Sequence, residues 1–414
     1  VKLKFRFVLQ ISVCALGAIA IPAWAQVNCD EAPSNSIVDD WVDFALQCHP
    51  GLQAQNARWQ SQQHLVEAAG RLADPSLMTG VAPQSFDNDN LVEGYIVEFN
   101  QKLPWPGVLN QQKNIAHAQV DVVDAERQQL QVEIAKQVRI YAADLYLQSQ
   151  LLKINQQHLD LLNEVIRLSE NKYGAGTGSK AAILQAMHEH HRLQEQAVVL
   201  NGKQQRANDN LTRWLNFSLA TEQLAALQLP TILVAFDPNQ LSINLRQQPQ
   251  IKQLLARQQK KQLELNLAEK DRHPEFSLTA RYNSLWQEED LRWVVGVGIN
   301  LPFDFGKRSA REDSLKAEQL ALRWQEKDLL LALDNAIQQQ FSQWQQAQTV
   351  LSLYRDDFLP LVNELLITAR DDYQSGRGDF LTLLTAQQQT LDTQSKALAA
   401  ETETFKTAST LLAT

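Results

Sequence analysis

Two hydrophobic periods run along this chain, and the first is a period of two. Phe276, Leu278, Ala280 and Tyr282 alternate with Ser277, Thr279, Arg281 and Asn283. After a polar loop, Trp293, Val295, Val297, Ile299 and Leu301 alternate with Arg292, Val294, Gly296, Gly298 and Asn300. Tyr95, Val97 and Phe99 alternate with Ile96, Glu98 and Asn100. One apolar face set against a polar or small one predicts β-strands. Such strands suit a membrane barrel wall, with lipid outside and water inside, or a half-buried hairpin packed on helices. They fall in two hairpins, 76–103 and 275–303.

The second period is seven. From Val108 to Lys172 there is neither proline nor glycine, which predicts one helix of about 98 Å at 1.5 Å per residue. Leu147, Leu151, Ile154, His158, Leu161, Val165 and Leu168 follow one another in steps of four and three. Leu145, Leu152, Leu159 and Ile166 run beside them at a spacing of seven. A dimeric coiled coil needs one seam. Two seams imply neighbours on both sides, as in a sheet or a closed tube of helices. Leu330, Leu333, Ile337, Phe341 and Trp344 form a comparable stripe in the second half.

The chain is written twice. Pro50 pairs with Pro249, Ala69 with Ala268 and Pro75 with Pro274, all at an offset of 199. Leu103-Pro104-Trp105-Pro106-Gly107 pairs with Leu301-Pro302-Phe303-Asp304-Phe305-Gly306, and the Tyr173–Gly178 turn pairs with Tyr373–Gly378. The expected layout is a first repeat over 26–217, a connecting segment over 218–249 and a second repeat over 250–414. Each repeat has a moderate helix (about 37–73 and 250–272) that ends near a proline, as helices do. A hairpin, a long helix (108–172 and 307–372), a glycine-rich turn and a return helix (179–215 and 379–412) follow. The expected fold is therefore mainly α with a small β part.

Composition narrows the class. With 44% hydrophobic residues there is enough apolar material for real cores, and a net charge of −9 argues against a nucleic-acid partner. Lys2, Lys4 and Arg6, an apolar run to Pro22 and Ala23-Trp24-Ala25 read as a secretory signal over 1–25. Cys29 and Cys48 would then share an oxidising compartment, where they could form a disulfide. No later stretch reaches the ~18 apolar residues of a membrane helix.

Four strands cannot close a membrane barrel, since the smallest bacterial ones have about eight. An open edge in lipid leaves backbone groups unpaired at several kcal/mol each. If the strands lie in a membrane, the chain must oligomerise, and three copies would supply twelve strands above a matching ring of helices.

At this point the chain resembles the TolC family of outer-membrane efflux proteins over nearly its whole mature length. The duplicated order of strand pair and long helix carries the resemblance. So do the strand-to-helix junctions at Pro104, Gly107, Pro302 and Gly306 and the two Tyr-x-x-Gly turns. The resemblance implies a homotrimer with a 12-stranded β-barrel in outer-membrane lipid and an α-helical tunnel reaching into the periplasm. It implies docking to a periplasmic adaptor and an inner-membrane pump, of the resistance-nodulation-division type. Gly306-Lys307-Arg308-Ser309-Ala310-Arg311 resembles the heavy-metal branch (cobalt-zinc-cadmium or copper-silver).

The resemblance puts the two turns at the periplasmic tip, where Tyr173, Gly176, Gly178, Tyr373, Gly376, Arg377 and Gly378 are candidates for adaptor docking and gating. The glycines would equally serve as plain turn formers. Arg370, Asp371, Asp372 and Asp379 would bring charge to the gate, or form a solvated helix end. Where relatives carry acidic residues on the return helix, this chain has Thr382 and Thr385, which speaks against an acidic ring at that level.

His188-Glu189-His190-His191 invites a metal reading. Position 192 is Arg192, so the zinc-protease spacing fails. His188 and His191 remain weak metal candidates on one helical face, or an incidental exposed cluster. No nucleophile–base set is present, so neither catalysis nor a cofactor is expected. The rival readings are a periplasmic coiled-coil scaffold or adaptor without a pore, and a metal-dependent hydrolase.

Overall fold

The computed structural model describes residues 29, 37–86, 93–217, 227–230, 236–286, 288–303 and 305–413. The signal expected over 1–25 and much of the connecting segment lie outside the described residues.

The first moderate helix is two helices, α1 (Val38–Cys48) and α2 (Pro50–Ala69). Pro50 starts α2 and holds His49 extended, as proline does to the residue before it. Cys29 and Cys48 are disulfide-bonded, with Cα atoms 5.6 Å apart. The hairpin β1 (Ser76–Ala82) and β2 (Gly94–Leu103) leads into α3 (Val108–Gly174) and α4 (Lys180–Leu215). A short α5 (Pro238–Ile243) precedes α6 (Pro249–Lys270). The second repeat continues with β3 (Glu275–Asn283), β4 (Trp293–Asn300), α7 (Lys307–Ser352), α8 (Leu359–Ser375) and α9 (Phe380–Leu411).

The long helix expected over 307–372 contains a π-helical turn at Leu353–Phe358. Pro360 explains it: proline donates no N–H and its ring crowds the carbonyl four residues back, so the helix widens before it. The helix over 108–172 runs without such a break.

The strands form one antiparallel sheet in the order β1-β2-β3-β4, so the hairpins join at β2 and β3. The register puts Leu77 opposite Phe99, Val97 opposite Tyr282, Phe276 opposite Ile299 and Leu278 opposite Val297. These residues share one continuous apolar face. On the other face Glu98 lies opposite Arg281 and Asn100 opposite Thr279.

α3 is the spine. Near the sheet it lies between α2 and α6, and in its far half between α4 and α9. The most deeply buried line in this half, Asn155, His158, Leu159, Leu162, Val165 and Ser169, takes His158 and Val165 from one seam and Leu159 from the other. Its polar members Asn155 and Ser169 fall outside both apolar heptads. The main core clusters where α1 meets α3 and α4, around Trp41, Ile134, Leu145, Leu211 and Leu215. A second core fills the far end, around Leu162, Leu193, Tyr373, Phe380 and Leu383. No helix among the described residues is long and apolar enough to cross a membrane.

Candidate functional site

Three features concentrate the chemistry: the helical tip, the sheet and the junctions between strands and long helices.

At the tip, α3 turns into α4 and α8 into α9 by the same geometry. Thr177 N and Gly178 N both donate to Lys172 O at 2.9 Å. In the second turn Arg377 N and Gly378 N donate to Asp372 O at 2.9 and 3.0 Å. Gly176 and Gly376 hold φ of +73° and +79°, where a side chain would be strained. A Cβ on Gly178 would come within 2.9 Å of Tyr173 N, so this glycine is required by close approach. The return helices are capped by Ser179 and Asp379, which accept from Ala182 N and Thr382 N. Those bonds from Thr382 hold the Asp379 carboxyl below its usual range.

The two tyrosines differ. Tyr173 is half exposed, whereas Tyr373 is buried. The Tyr373 hydroxyl lies 3.0 Å from Ser169 Oγ, its ring lies 4.7 Å beneath Lys172 Nζ, and Phe380 packs edge-on against it. Arg370 does not pair within its own turn. It donates to Glu164 of α3 at 2.6 Å, tying the two repeats together. Arg377 pairs with Asp372, while Asp371 is exposed. Thr382 and Thr385 are both exposed. Glu164, Ser169 and Lys172 were not singled out in the sequence, because nothing local marks a partner some two hundred residues away.

The histidines do not assemble a site. His188 and His191 are exposed on α4, and His191 bonds to Gln194. Glu189 is buried; burial alone would raise its carboxyl, but the two-point bond from Arg192 holds it below its usual range. No group of three or more His, Cys, Asp or Glu able to hold a metal occurs among the described residues.

On the polar face of the sheet Arg281 Nε donates to Glu98 at 2.7 Å and Asn100 to Thr279 at 3.0 Å. The chain enters each long helix through Gly107 (φ +87°) or Gly306 (φ +94°), soon after Pro104 and Pro302. Left-handed backbone at these points turns the strand abruptly into the helix axis. Arg308 Nε donates to Asp271 O, and Arg272 makes a two-point bond to the buried Glu312, so α6 and α7 are clamped at their sheet ends. Trp105 stacks on His273 at 4.7 Å, joining the first junction to the second repeat.

Solved structures share this architecture. The outer-membrane channel OprN is 22% identical, with a TM-score of 0.77 over 91% of this chain and 89% of that chain. The outer membrane protein VceC of Vibrio cholerae is 17% identical, with a TM-score of 0.72 over 91% of this chain and 95% of that chain. The MtrE outer membrane channel of Neisseria gonorrhoeae, solved in its open state, is 15% identical, with a TM-score of 0.70 over 92% of each chain. At these identities the likeness shows the fold. No curated protein sequence matches the chain. The pattern that defines outer membrane efflux proteins matches residues 41–216 and 241–414, once over each repeat, and the chain belongs to that family, the one its duplicated motifs resemble.

Proposed function

We propose that three copies of this chain close a 12-stranded barrel in the outer membrane and a continuous helical tunnel below it. In this reading the protein is the exit duct of a tripartite efflux system, fed by a periplasmic adaptor and an inner-membrane pump of the resistance-nodulation-division type. The observation that carries the reading is the sheet. It has one apolar face, one face that is mostly polar or small, and, among the described residues, two unpaired edges, β1 and β4. In lipid each unpaired backbone group costs several kcal/mol, and pairing β4 of one copy with β1 of the next removes that cost.

The helices support the same closure. Leu320, Trp324 and Leu331 on α7 and Leu361 on α8 are exposed at one flank, and Leu65 on α2 and Leu184 and Val198 on α4 at the other. Neighbouring copies would cover both flanks. The tip residues Tyr173, Gly176, Gly178, Tyr373, Gly376, Arg377 and Gly378 would meet the adaptor, and Arg370, Asp371, Asp372 and Asp379 would hold the gate.

For cargo, the reading is heavy-metal cations. Its support is the resemblance of Gly306–Arg311 to the heavy-metal branch. A strain lacking the gene, challenged with cobalt, zinc, cadmium, copper, silver and a drug panel, tests both levels. Sensitivity to metals alone agrees with the cargo; sensitivity to drugs alone rejects it and keeps the duct. Unchanged sensitivity to every compound counts against export.

A further inference from the structure

The junction segment Leu301–Arg311 is more elaborate than a turn requires, and the structure shows what it builds. A cleft of about 480 Å³ lies at the foot of β3 and β4, between the end of α6 and the start of α7. Lys270, Lys307, Arg308 and Arg311 line it, against the carboxylates of Asp271 and Glu275. The cleft is thus locally cationic in a chain whose net charge is −9.

Its rim is aromatic. Trp105 lies 6.1 Å from Phe276, a member of the apolar face of the sheet. Phe303 and Phe305 are 69% and 95% exposed. They follow Ile299 and Leu301 in the sequence at a spacing of two, beyond the end of β4, and line the cleft beside the cations. Aromatic residues with basic neighbours mark the level where hydrocarbon gives way to headgroups. The cations are also held in place. Arg308 is fixed by Asp271 O and Phe303 O, and Arg311 by Asp271 Oδ2 at 3.2 Å. Gly107 leaves the room that Lys270 Nζ occupies, since a Cβ there would lie 3.3 Å from it.

We propose that this cleft binds an anionic phospholipid of the periplasmic leaflet, its phosphate among Lys270, Lys307 and Arg308 and its chains along Phe303 and Phe305. The proposal rests on the barrel reading, which places the sheet in lipid and the long helices in the periplasm. Point-charge ammoniums on flexible stems and a preset guanidinium are suited to a phosphate that arrives with different headgroups. Such a site would fix the depth of the barrel at the point where the helices leave the membrane.

The test is native mass spectrometry of detergent-solubilised protein titrated with phosphatidylglycerol or phosphatidylcholine, with inorganic phosphate as competitor. K270Q/K307Q leaves the Arg308 clamp intact. Two lysines near a lipid surface lead us to expect roughly thirtyfold weaker phosphatidylglycerol retention in this variant. The charge-matched control K203Q/K396Q, far along the helices, should retain it as wild type does. F303S should also weaken retention. Equal loss in the control, equal retention of phosphatidylcholine by the wild type, or displacement by millimolar phosphate overturns the proposal. Failure of the barrel reading is distinguishable, because it shows as loss of the oligomer in the same spectra.

Discussion

Tyr373 of the second repeat reaches Ser169 of the first: the two hydroxyls lie 3.0 Å apart, both buried between α3 and the α8–α9 turn. The matching Tyr173 of the first repeat is exposed. Tyr373→Phe removes one buried hydrogen bond and leaves Ser169 to its bond with Val165 O. The expected cost is about 1 kcal/mol at the tip. Hydrogen exchange of residues 373–379 should quicken in Tyr373→Phe and stay unchanged in Tyr173→Phe. Equal effects would show that the repeats are equivalent at the tip.

Three tip glycines divide by cause. Gly176→Val and Gly376→Val meet backbone strain at positive φ, expected to cost about 1 to 2 kcal/mol each. Gly178→Ala meets Tyr173 N instead. All three should weaken adaptor binding in pull-down experiments while oligomers in the membrane persist. Normal adaptor binding and export in both valine variants would remove these glycines from the docking role.

The Arg370–Glu164 pair is roughly half exposed on both sides, so each copy contributes about 0.5 kcal/mol. Over three copies that is roughly 1.5 kcal/mol, about a tenfold shift in a closed-to-open equilibrium. Glu164→Gln should raise channel conductance or open time in planar bilayers by up to that factor. A conductance identical to wild type would assign the pair to static packing.

His158 supplies a pH dependence. Burial lowers its pKa, and the bond to Gln394 only partly offsets this. The unfolded chain binds a proton near pH 6.5 and the buried ring only at lower pH. Stability is therefore fully present above about pH 6.5, falls as pH drops below it and levels off once the buried ring is charged. Thermal unfolding of wild type and His158→Gln at pH 7.5 and 5.5 isolates the effect. The wild type should lose more than the variant.

Sequence pattern and structure agree where the pattern is periodic and local. Alternation fixed the faces of Phe276–Tyr282 and Trp293–Leu301, and the absence of proline marked the length of α3. Two things were not legible. The π-helical turn depends on how the helix yields before Pro360, and a proline alone does not say whether a helix breaks or widens. The tip asymmetry is set by partners that the shared Tyr-x-x-Gly-x-Gly pattern does not show: Tyr373 packs on Phe380, where the first repeat has Lys180, and bonds to Ser169 some two hundred residues away. His188 and His191, read in the sequence as weak metal candidates or an incidental exposed cluster, are both exposed on α4.

The measurement closest to the central claim is the mass of the intact particle released from membranes into mild detergent. The proposed closure of β4 on β1 of the next copy into twelve strands predicts a particle of three chains, each about 44 kDa once the proposed leader of ~25 residues at roughly 110 Da apiece is taken from 46.8 kDa. A stable single chain that stays soluble without detergent or lipid would contradict it.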